Sequence, residues 1–449
     1  MRFISNMLNR MTPQRSIFLY YLSALIVSTL LMQLPFFYND DTYITFMDTL
    51  FVTASGISVT GLTTVNIVDT FNTYGIILLM FILNLGGIGI MAMSTFIWIL
   101  LGRKITLRER TAIMVDNSRQ VISGGVQLVL NIVSLLFLIE CIGAIIYTLV
   151  FYYKTENFLD ALLQGTFLSV SATTNAGFDL YHQSLIGYSD NYYIIIPVMF
   201  QIVLGAIGYP VLIEIKEYFS RKNPHFRFSL FTKVTTSMYA ILFLLGTVFY
   251  LLIEWEGSQF NDSTLSKVTN AVFMSVSTRS AGITIVDPSL LNEATQLLFS
   301  MLMFIGSSPS SAGGGIRTTT LAILILTIIA FSKGEERPII FKRSIARQDT
   351  ERAFIVFFLA IVLMFLGISI ITFVEGDRHS LMSIIFEVAS AFGTCGMSMG
   401  ITGDLNTISE LILIFFMFIG RVGFLSFLLS FGDNRKSIIK YPTDRLTVG

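Results

Sequence analysis

Phe51-Val-Thr-Ala-Ser-Gly-Ile-Ser-Val-Thr-Gly61 is a short stretch rich in Ser and Thr, set between two long apolar runs. It returns three times, as Phe167-Leu-Ser-Val-Ser-Ala-Thr-Thr-Asn-Ala-Gly177, Phe273-Met-Ser-Val-Ser-Thr-Arg-Ser-Ala-Gly282 and Phe386-Glu-Val-Ala-Ser-Ala-Phe-Gly-Thr-Cys-Gly396. The closing glycines are 116, 105 and 114 residues apart. A repeat of this kind sets the architecture before any other argument. Four copies of apolar span, polar loop and apolar span describe a pore with four walls. The corresponding units are 1–102, 103–220, 221–332 and 333–449.

Composition places those spans in a membrane. Hydrophobic residues make up 53% of the chain and charged ones 13%, where a soluble domain carries about 25% charged residues. Mean hydropathy is +0.73. Eight segments approach the roughly 20 apolar residues a spanning helix needs: 16–37, 72–101, 125–153, 191–219, 234–255, 294–331, 353–374 and 408–431. Four shorter segments, 44–56, 160–173, 265–278 and 381–392, read as re-entrant pore helices. Each is followed by irregular backbone, which membrane depth tolerates only where it is buried or lines an aqueous cavity. The fold expected is all-α, with eight spanning helices and four pore helices around a pseudo-four-fold axis.

Of 29 Lys and Arg, 23 fall in five places: Arg2 to Arg15, Arg103 to Arg119, Lys216 to Lys233, Lys333 to Arg352 and Arg435 to Arg445. These are the N-terminus, the links between units and the C-terminus. By the positive-inside rule both termini are cytoplasmic and the pore loops open outward. The basic clusters also suit anionic membrane lipid or an acidic partner. Trp98 and Trp255 lie near span ends, as interfacial aromatics do. The basic start of the chain, with no small-residue cleavage site after it, reads as an uncleaved first span. Outward loops carry carboxylates, among them Asp179, Glu254, Asp287 and Glu375, which would raise local cation concentration.

Aligned on the final glycine, the segments end Val59-Thr60-Gly61, Asn175-Ala176-Gly177, Ser280-Ala281-Gly282 and Thr394-Cys395-Gly396. Only glycine is constant. Glycine permits positive φ, so carbonyls can be turned inward, and a ring of carbonyls can replace the hydration shell of a monovalent cation. Arg279, beside the third set, is expected to point behind it and pair with a carboxylate. Cys141 and Cys395 read as unpaired thiols, and no zinc-like spacing occurs.

The second span of the third unit is interrupted by Gly306-Ser-Ser-Pro-Ser-Ser-Ala-Gly-Gly-Gly315. Pro309 removes a backbone donor and the glycines disfavour helix. The individual residues are Gly306, Ser307, Ser308, Pro309, Ser310, Ser311, Ala312, Gly313, Gly314 and Gly315. They read as an intramembrane loop on the inner side of the glycine segments. The other second spans carry Gly86-Gly-Ile-Gly89, Gly205-Ala-Ile-Gly208 and Gly420-Arg-Val-Gly423, where small residues permit close packing. Arg421 is an intramembrane charge, which is costly and faces a cavity or a partner. Arg317 reads either as a second loop contact or as a structural pair. Glu140 reads as a packing or pairing residue.

Across nearly all of 16–431 this pattern resembles the superfamily of K⁺ transporters called Trk, Ktr and HKT. In its short N-terminus it is most similar to the Ktr membrane subunit. The resemblance implies K⁺ uptake through a four-loop selectivity filter at the twelve residues named, with K⁺ held there. It implies that loop 306–315 is the gate, with Arg421 holding it or competing with the ion. Ser replaces the first filter glycine in Na⁺-selective plant relatives, so Gly61 implies K⁺ preference. The resemblance also implies a homodimer in the bacterial plasma membrane, docked on a cytosolic RCK ring that binds ATP and ADP. The other reading is a Na⁺-coupled K⁺ symporter, or a less selective Na⁺/K⁺ carrier, of the same fold. No G-x-x-x-x-G-K-[ST] motif occurs, and His182, His225 and His379 are scattered in loops. No enzyme activity, cofactor or nucleic-acid partner is read in this chain.

Overall fold

The computed structural model describes residues 13–40, 42–100, 125–220, 226–257 and 263–431. The basic stretches at 103–119 and 435–445, most of the N-terminal one, and the side chain of Trp98 lie outside the described residues.

The chain is mostly helical. Long helices are α1 (Pro13–Met32), α5 (Gly125–Thr155), α9 (Leu230–Glu254) and α13 (Arg347–Glu375). Each is followed by a shorter helix: α2 (Phe46–Ser58), α6 (Phe158–Thr174), α10 (Thr264–Ser277) and α14 (Leu381–Gly393). Then comes a pair: α3 (Thr73–Ile88) with α4 (Ile90–Leu100), α7 (Tyr192–Ala206) with α8 (Tyr209–Phe219), α11 (Glu293–Ile305) with α12 (Thr318–Ser332), and α15 (Thr407–Val422) with α16 (Phe424–Phe431).

The short helices start cleanly because Thr45, Asn157, Ser263 and Ser380 each accept a hydrogen bond from the first turn. Thr45 and Asp48 form a reciprocal capping box.

The pairs correct the expectation that the second spans of the first, second and fourth units are continuous. Gly89 (φ 94°), Gly208 (φ 102°) and Gly423 (φ 87°) each break a second span where the sequence analysis expects only close packing. A positive φ cannot continue a right-handed helix. Helices α7 and α8 meet at 104°. Among the described residues, four single helices are long and apolar enough to cross a membrane, one in each long helix. A two-residue β-hairpin, β1 (Ile339–Ile340) with β2 (Arg343–Ser344), also departs from the all-α expectation.

Polarity is distributed the opposite way from a soluble protein. The long helices expose Leu30, Ile145, Leu252 and Phe365, whereas Thr53, Ser171, Ser275, Ser277 and Ser390 are buried. Such an exterior suits lipid, where no hydrophobic force drives helices together and small residues set the contacts. Each short helix packs on the long helix before it and on a neighbouring pair. Helix α6 packs on α3, α10 on α7, α14 on α11, and α2 on α15, so the contacts close into a ring.

Candidate ion pathway

The four short helices deliver their C-termini to one place. There Val59 (φ 58°), Asn175 (φ 56°) and Thr394 (φ 47°) adopt left-handed backbone, and Ser280 stands at φ 122°. For β-branched Val59 and Thr394 this is a strained conformation. Two residues on, Gly61, Gly177, Gly282 and Gly396 have φ of 99°, 71°, 68° and 98°. Thr60, Ala176, Ala281 and Cys395, between them, are outside the positive-φ set. Alternating φ of this kind turns successive carbonyls toward one side.

The segments surround a common point. A Cβ added to Gly177 would lie 3.0 Å from the Ala281 oxygen, 3.1 Å from that of Thr60 and 3.2 Å from that of Cys395. One added to Gly61 would lie 2.5 Å from the Ala176 oxygen. The order 61, 177, 282, 396 closes on itself, since a Cβ on Gly396 would strike the Thr60 oxygen. The glycines of the four expected sets and the oxygens of Thr60, Ala176, Ala281 and Cys395 are therefore brought together as a ring, with Val59, Asn175, Ser280 and Thr394 next to them in the chain. The C-terminal ends of four helices add partial negative charge beside it.

Four serines hold this backbone, and the sequence analysis missed them. Ser55, Ser171, Ser277 and Ser390 accept, through their carbonyls, the N–H of Thr60, Ala176, Ala281 and Cys395 at 2.8, 2.8, 2.9 and 2.9 Å. Their hydroxyls work too. Ser55 and Ser390 accept from Gly61 N at 2.9 Å and Gly396 N at 3.0 Å, and Ser171 donates to the Phe178 carbonyl at 2.5 Å. Ser277 donates to the Ile283 carbonyl. The signal was present as a constant Ser in the four quoted segments. With its side-chain oxygen and nitrogen oriented to satisfy their neighbours, the Asn175 amide donates to Ala172 O (3.0 Å) and Ile202 O (3.2 Å) and accepts from Ala206 N (3.1 Å).

Arg279 is fully buried behind the ring, as expected, but no carboxylate pairs with it among the described residues. Its Nε and Nη2 donate to the Gly306 carbonyl at 3.2 and 2.5 Å, and its guanidinium lies 5.2 Å from the centre of the Tyr239 ring. Cys395 is buried and Cys141 exposed, both as free thiols. The Cys395 thiol sits 3.5 Å from the Ser277 carbonyl.

The 306–315 loop lies against one side of the ring. A Cβ on Gly314 would meet Thr394 Oγ1 at 2.6 Å and the Gly420 carbonyl at 2.7 Å. Ser308 N donates to Ala206 O (3.2 Å), Ala312 N to Gly205 O (3.1 Å) and Gly315 N to Gly420 O (3.2 Å). Ser310 O accepts from Tyr209 N at 2.8 Å. Arg421, buried, donates through Nη1 to Ala312 O and to Gly313 O at 3.3 Å, and through Nη2 to Gly86 O and to Gly87 O at 3.1 Å. Arg317 donates to Gly313 O, to Ser307 Oγ (3.2 Å) and to Ser308 O (3.4 Å), so it is a loop contact. Pro309 and Ser310 line a cavity of about 540 Å³ with Gly315, Arg317 and Arg421.

On the other side, Gly61, Gly177, Gly282 and Gly396 line a cavity of about 340 Å³ with Asp179 and Asp287. Burial pushes the Asp179 carboxyl up to about 7, against the N–H groups of Tyr181 and Ser184 that favour its charged form. Two carboxylates expected in this mouth are elsewhere. Glu254 and Glu375 are buried and bind the starts of α11 and α15: Glu254 accepts from Asn292 N (2.8 Å) and Thr295 Oγ1 (2.6 Å), Glu375 from Asn406 N (2.9 Å) and Ser409 Oγ (2.5 Å). Glu140 is buried with no ion-pair partner among the described residues.

Residues 14–439 match the family described as TrkH, cation transport protein. The chain belongs to this family of cation transport proteins. It is 40% identical over 446 residues to the Ktr system potassium uptake protein D of Bacillus subtilis, covering 99% of this chain and 98% of that one. It is 32% identical over 446 residues to the potassium/sodium uptake protein NtpJ of Enterococcus hirae, covering 98% of each. Its fold is similar to the crystal structure of the potassium transporter TrkH from Vibrio parahaemolyticus, with a TM-score of 0.70, 18% identity and coverage of 93% of this chain and 84% of that one.

Proposed function

We propose that this chain takes up K⁺ across the bacterial plasma membrane through a pore made by four units of long helix, re-entrant helix and broken span. The observation that carries the reading is the meeting of four glycine-ended segments whose carbonyls crowd one point. In this reading K⁺ exchanges its water for the oxygens of residues 59–61, 175–177, 280–282 and 394–396. Loop 306–315, with Arg317 and Arg421, is the gate. The glycine-lined mouth faces outward and both termini are cytoplasmic, in line with the distribution of Lys and Arg. Membrane potential supplies about 2.3 kcal/mol per charge per 100 mV, enough for concentrative uptake through a passive pore.

We further infer that the chain works as a homodimer on a cytosolic RCK ring that binds ATP and ADP, with anionic lipid at its basic face. Support comes from the Bacillus relative, which is named as part of a Ktr system. The second reading, a Na⁺-coupled K⁺ symporter or a less selective Na⁺/K⁺ carrier, is favoured by the Enterococcus relative, which is named a potassium/sodium uptake protein.

The test is ⁸⁶Rb⁺ uptake into K⁺-loaded liposomes holding the purified chain. Competition by K⁺ and indifference to Na⁺ are expected. Uptake that requires Na⁺ would favour the carrier. Deleting 308–314 is expected to raise flux, and unchanged flux in a folded deletion would remove the gate from the proposal.

A further inference from the structure

Arg279 is a cation buried beside a proposed cation pathway, with no carboxylate paired to it among the described residues. Such a charge is costly, and Nη1 has no hydrogen-bond partner. Two of its donors converge instead on one carbonyl, that of Gly306. Gly306 is where α11 ends and the 306–315 loop begins, at φ 61° and ψ −151°. That backbone region is open essentially to glycine alone. It turns the Gly306 carbonyl out of the helix and toward Arg279. The position is also crowded, since a Cβ on Gly306 would lie 3.0 Å from Gly315 Cα. Gly306 is thus the neck of the loop, and the acceptor that satisfies Arg279 exists only while the neck keeps this conformation.

We propose that Arg279 is a positioning residue that latches the neck of the loop at Gly306 and so ties the third ring segment to the closed loop. This rests on the gate reading given above. Arg279 precedes Ser280-Ala281-Gly282 directly, and Ser280 Oγ donates to Thr394 O at 3.0 Å, so the latch is anchored in the ring itself. Release of the neck removes both donors' acceptor together. The Tyr239 ring, 5.2 Å from the guanidinium, holds the side chain in place for those two donations. A planar fork suits two donations to a single oxygen, and a lysine ammonium does not reproduce it.

The experiment is ⁸⁶Rb⁺ uptake by the purified full chain and by its 308–314 deletion, each with and without Arg279→Lys. In the full chain R279K is expected to raise uptake about tenfold, the effect of removing one charge-assisted hydrogen bond from the closed state. In the deletion it is expected to change nothing, and K⁺ over Na⁺ preference is expected to hold in both. An equal change in both backgrounds, or lost ion preference without a rise in flux, would overturn the latch. If the deletion alone fails to raise flux, the gate reading falls and the latch with it. Tyr239→Leu leaves the ring segments untouched and covers the case in which R279K does not fold. It is expected to raise uptake in the full chain only, and no change there overturns the proposal.

Discussion

Arg421 donates to the carbonyl of Ala312, a residue 109 positions earlier in the chain. The same guanidinium reaches Gly86 O, so one side chain joins the 306–315 loop to the end of α3. The loop therefore hangs on a buried cation whose Nη1 and Nη2 donate to backbone oxygen. Arg421→Ala strips these carbonyls of their donor. Thermal stability is expected to fall by about 2 kcal/mol, the scale of a hydrogen bond to a charged group. Uptake is expected to rise because the loop loses its tether. Arg421→Lys should fall between the two. Thermal unfolding followed beside ⁸⁶Rb⁺ uptake checks both, and unchanged flux in a destabilised variant would leave Arg421 a purely structural residue.

Gly61 tests the ring. Its φ of 99° and the Ala176 oxygen 2.5 Å from an ideal Cβ position leave no room for a side chain without movement. Gly61→Ser is expected to shift preference from K⁺ toward Na⁺ while the chain still assembles, because the strain of about 1–3 kcal/mol falls on one loop. Competition of K⁺ and Na⁺ against ⁸⁶Rb⁺ reads the shift. A variant that keeps wild-type preference would remove residue 61 from the ion path.

The ring segments were legible in the sequence because a Ser- and Thr-rich stretch ending in Gly recurs between apolar runs. The loop at 306–315 was legible because Pro309 and its glycines cannot be an ordinary helix. The breaks at Gly89, Gly208 and Gly423 were not, since a single glycine in an apolar run serves equally well for close packing. Glycine packing is also present: a Cβ on Gly86, Gly205 or Gly420 would strike the carbonyl of Ile57, Thr173 or Phe392. The left-handed Val59 and Thr394 run against local preference, and only the surrounding packing holds them there. Arg279 was misread in its partner because an intramembrane cation suggests a carboxylate, and a carbonyl freed by a helix end leaves no mark in the sequence.

Glu387 stands where the other three segments carry Val52, Leu168 and Met274. It is buried in α14, accepts from Ser398 Oγ, and lies 3.2 Å from Thr402 Oγ1. Ser398 and Thr402 line the mouth just past Gly396. Glu387→Ala is expected to loosen that stretch, costing about 2 kcal/mol for the lost hydrogen bonds to the carboxyl, and to weaken K⁺ over Na⁺ discrimination. Glu387→Gln keeps an acceptor and should retain most of both. Loss of stability with discrimination intact would confine Glu387 to packing.

Asp179 is expected to make the glycine-lined cavity sensitive to pH. It sits two residues past Gly177, in the connection between α6 and α7, and Oδ1 accepts from Tyr181 N at 2.8 Å. Burial raises its carboxyl to about 7. The other titratable groups lining the two cavities that share Asp179 are Tyr181, His182 and Asp287, and His182 Nδ1 lies 3.6 Å from Asp69. As pH falls through about 7, Asp179 loses its charge and the mouth attracts cations less strongly. Uptake at subsaturating K⁺ is therefore expected to fall between about pH 8 and about pH 6, with saturating K⁺ masking the effect. For stability the raised value means that the folded chain binds this proton more tightly than the unfolded one, whose carboxyl titrates near about 3.9. The contribution is thus fully present below about 3.9, declines as pH rises, and is lost above about 7. Asp179→Asn removes the charge at every pH. It should lower uptake at pH 8 and flatten the profile, whereas His182→Gln should leave the Asp179 step in place. A profile unchanged by Asp179→Asn would assign the pH response to another group.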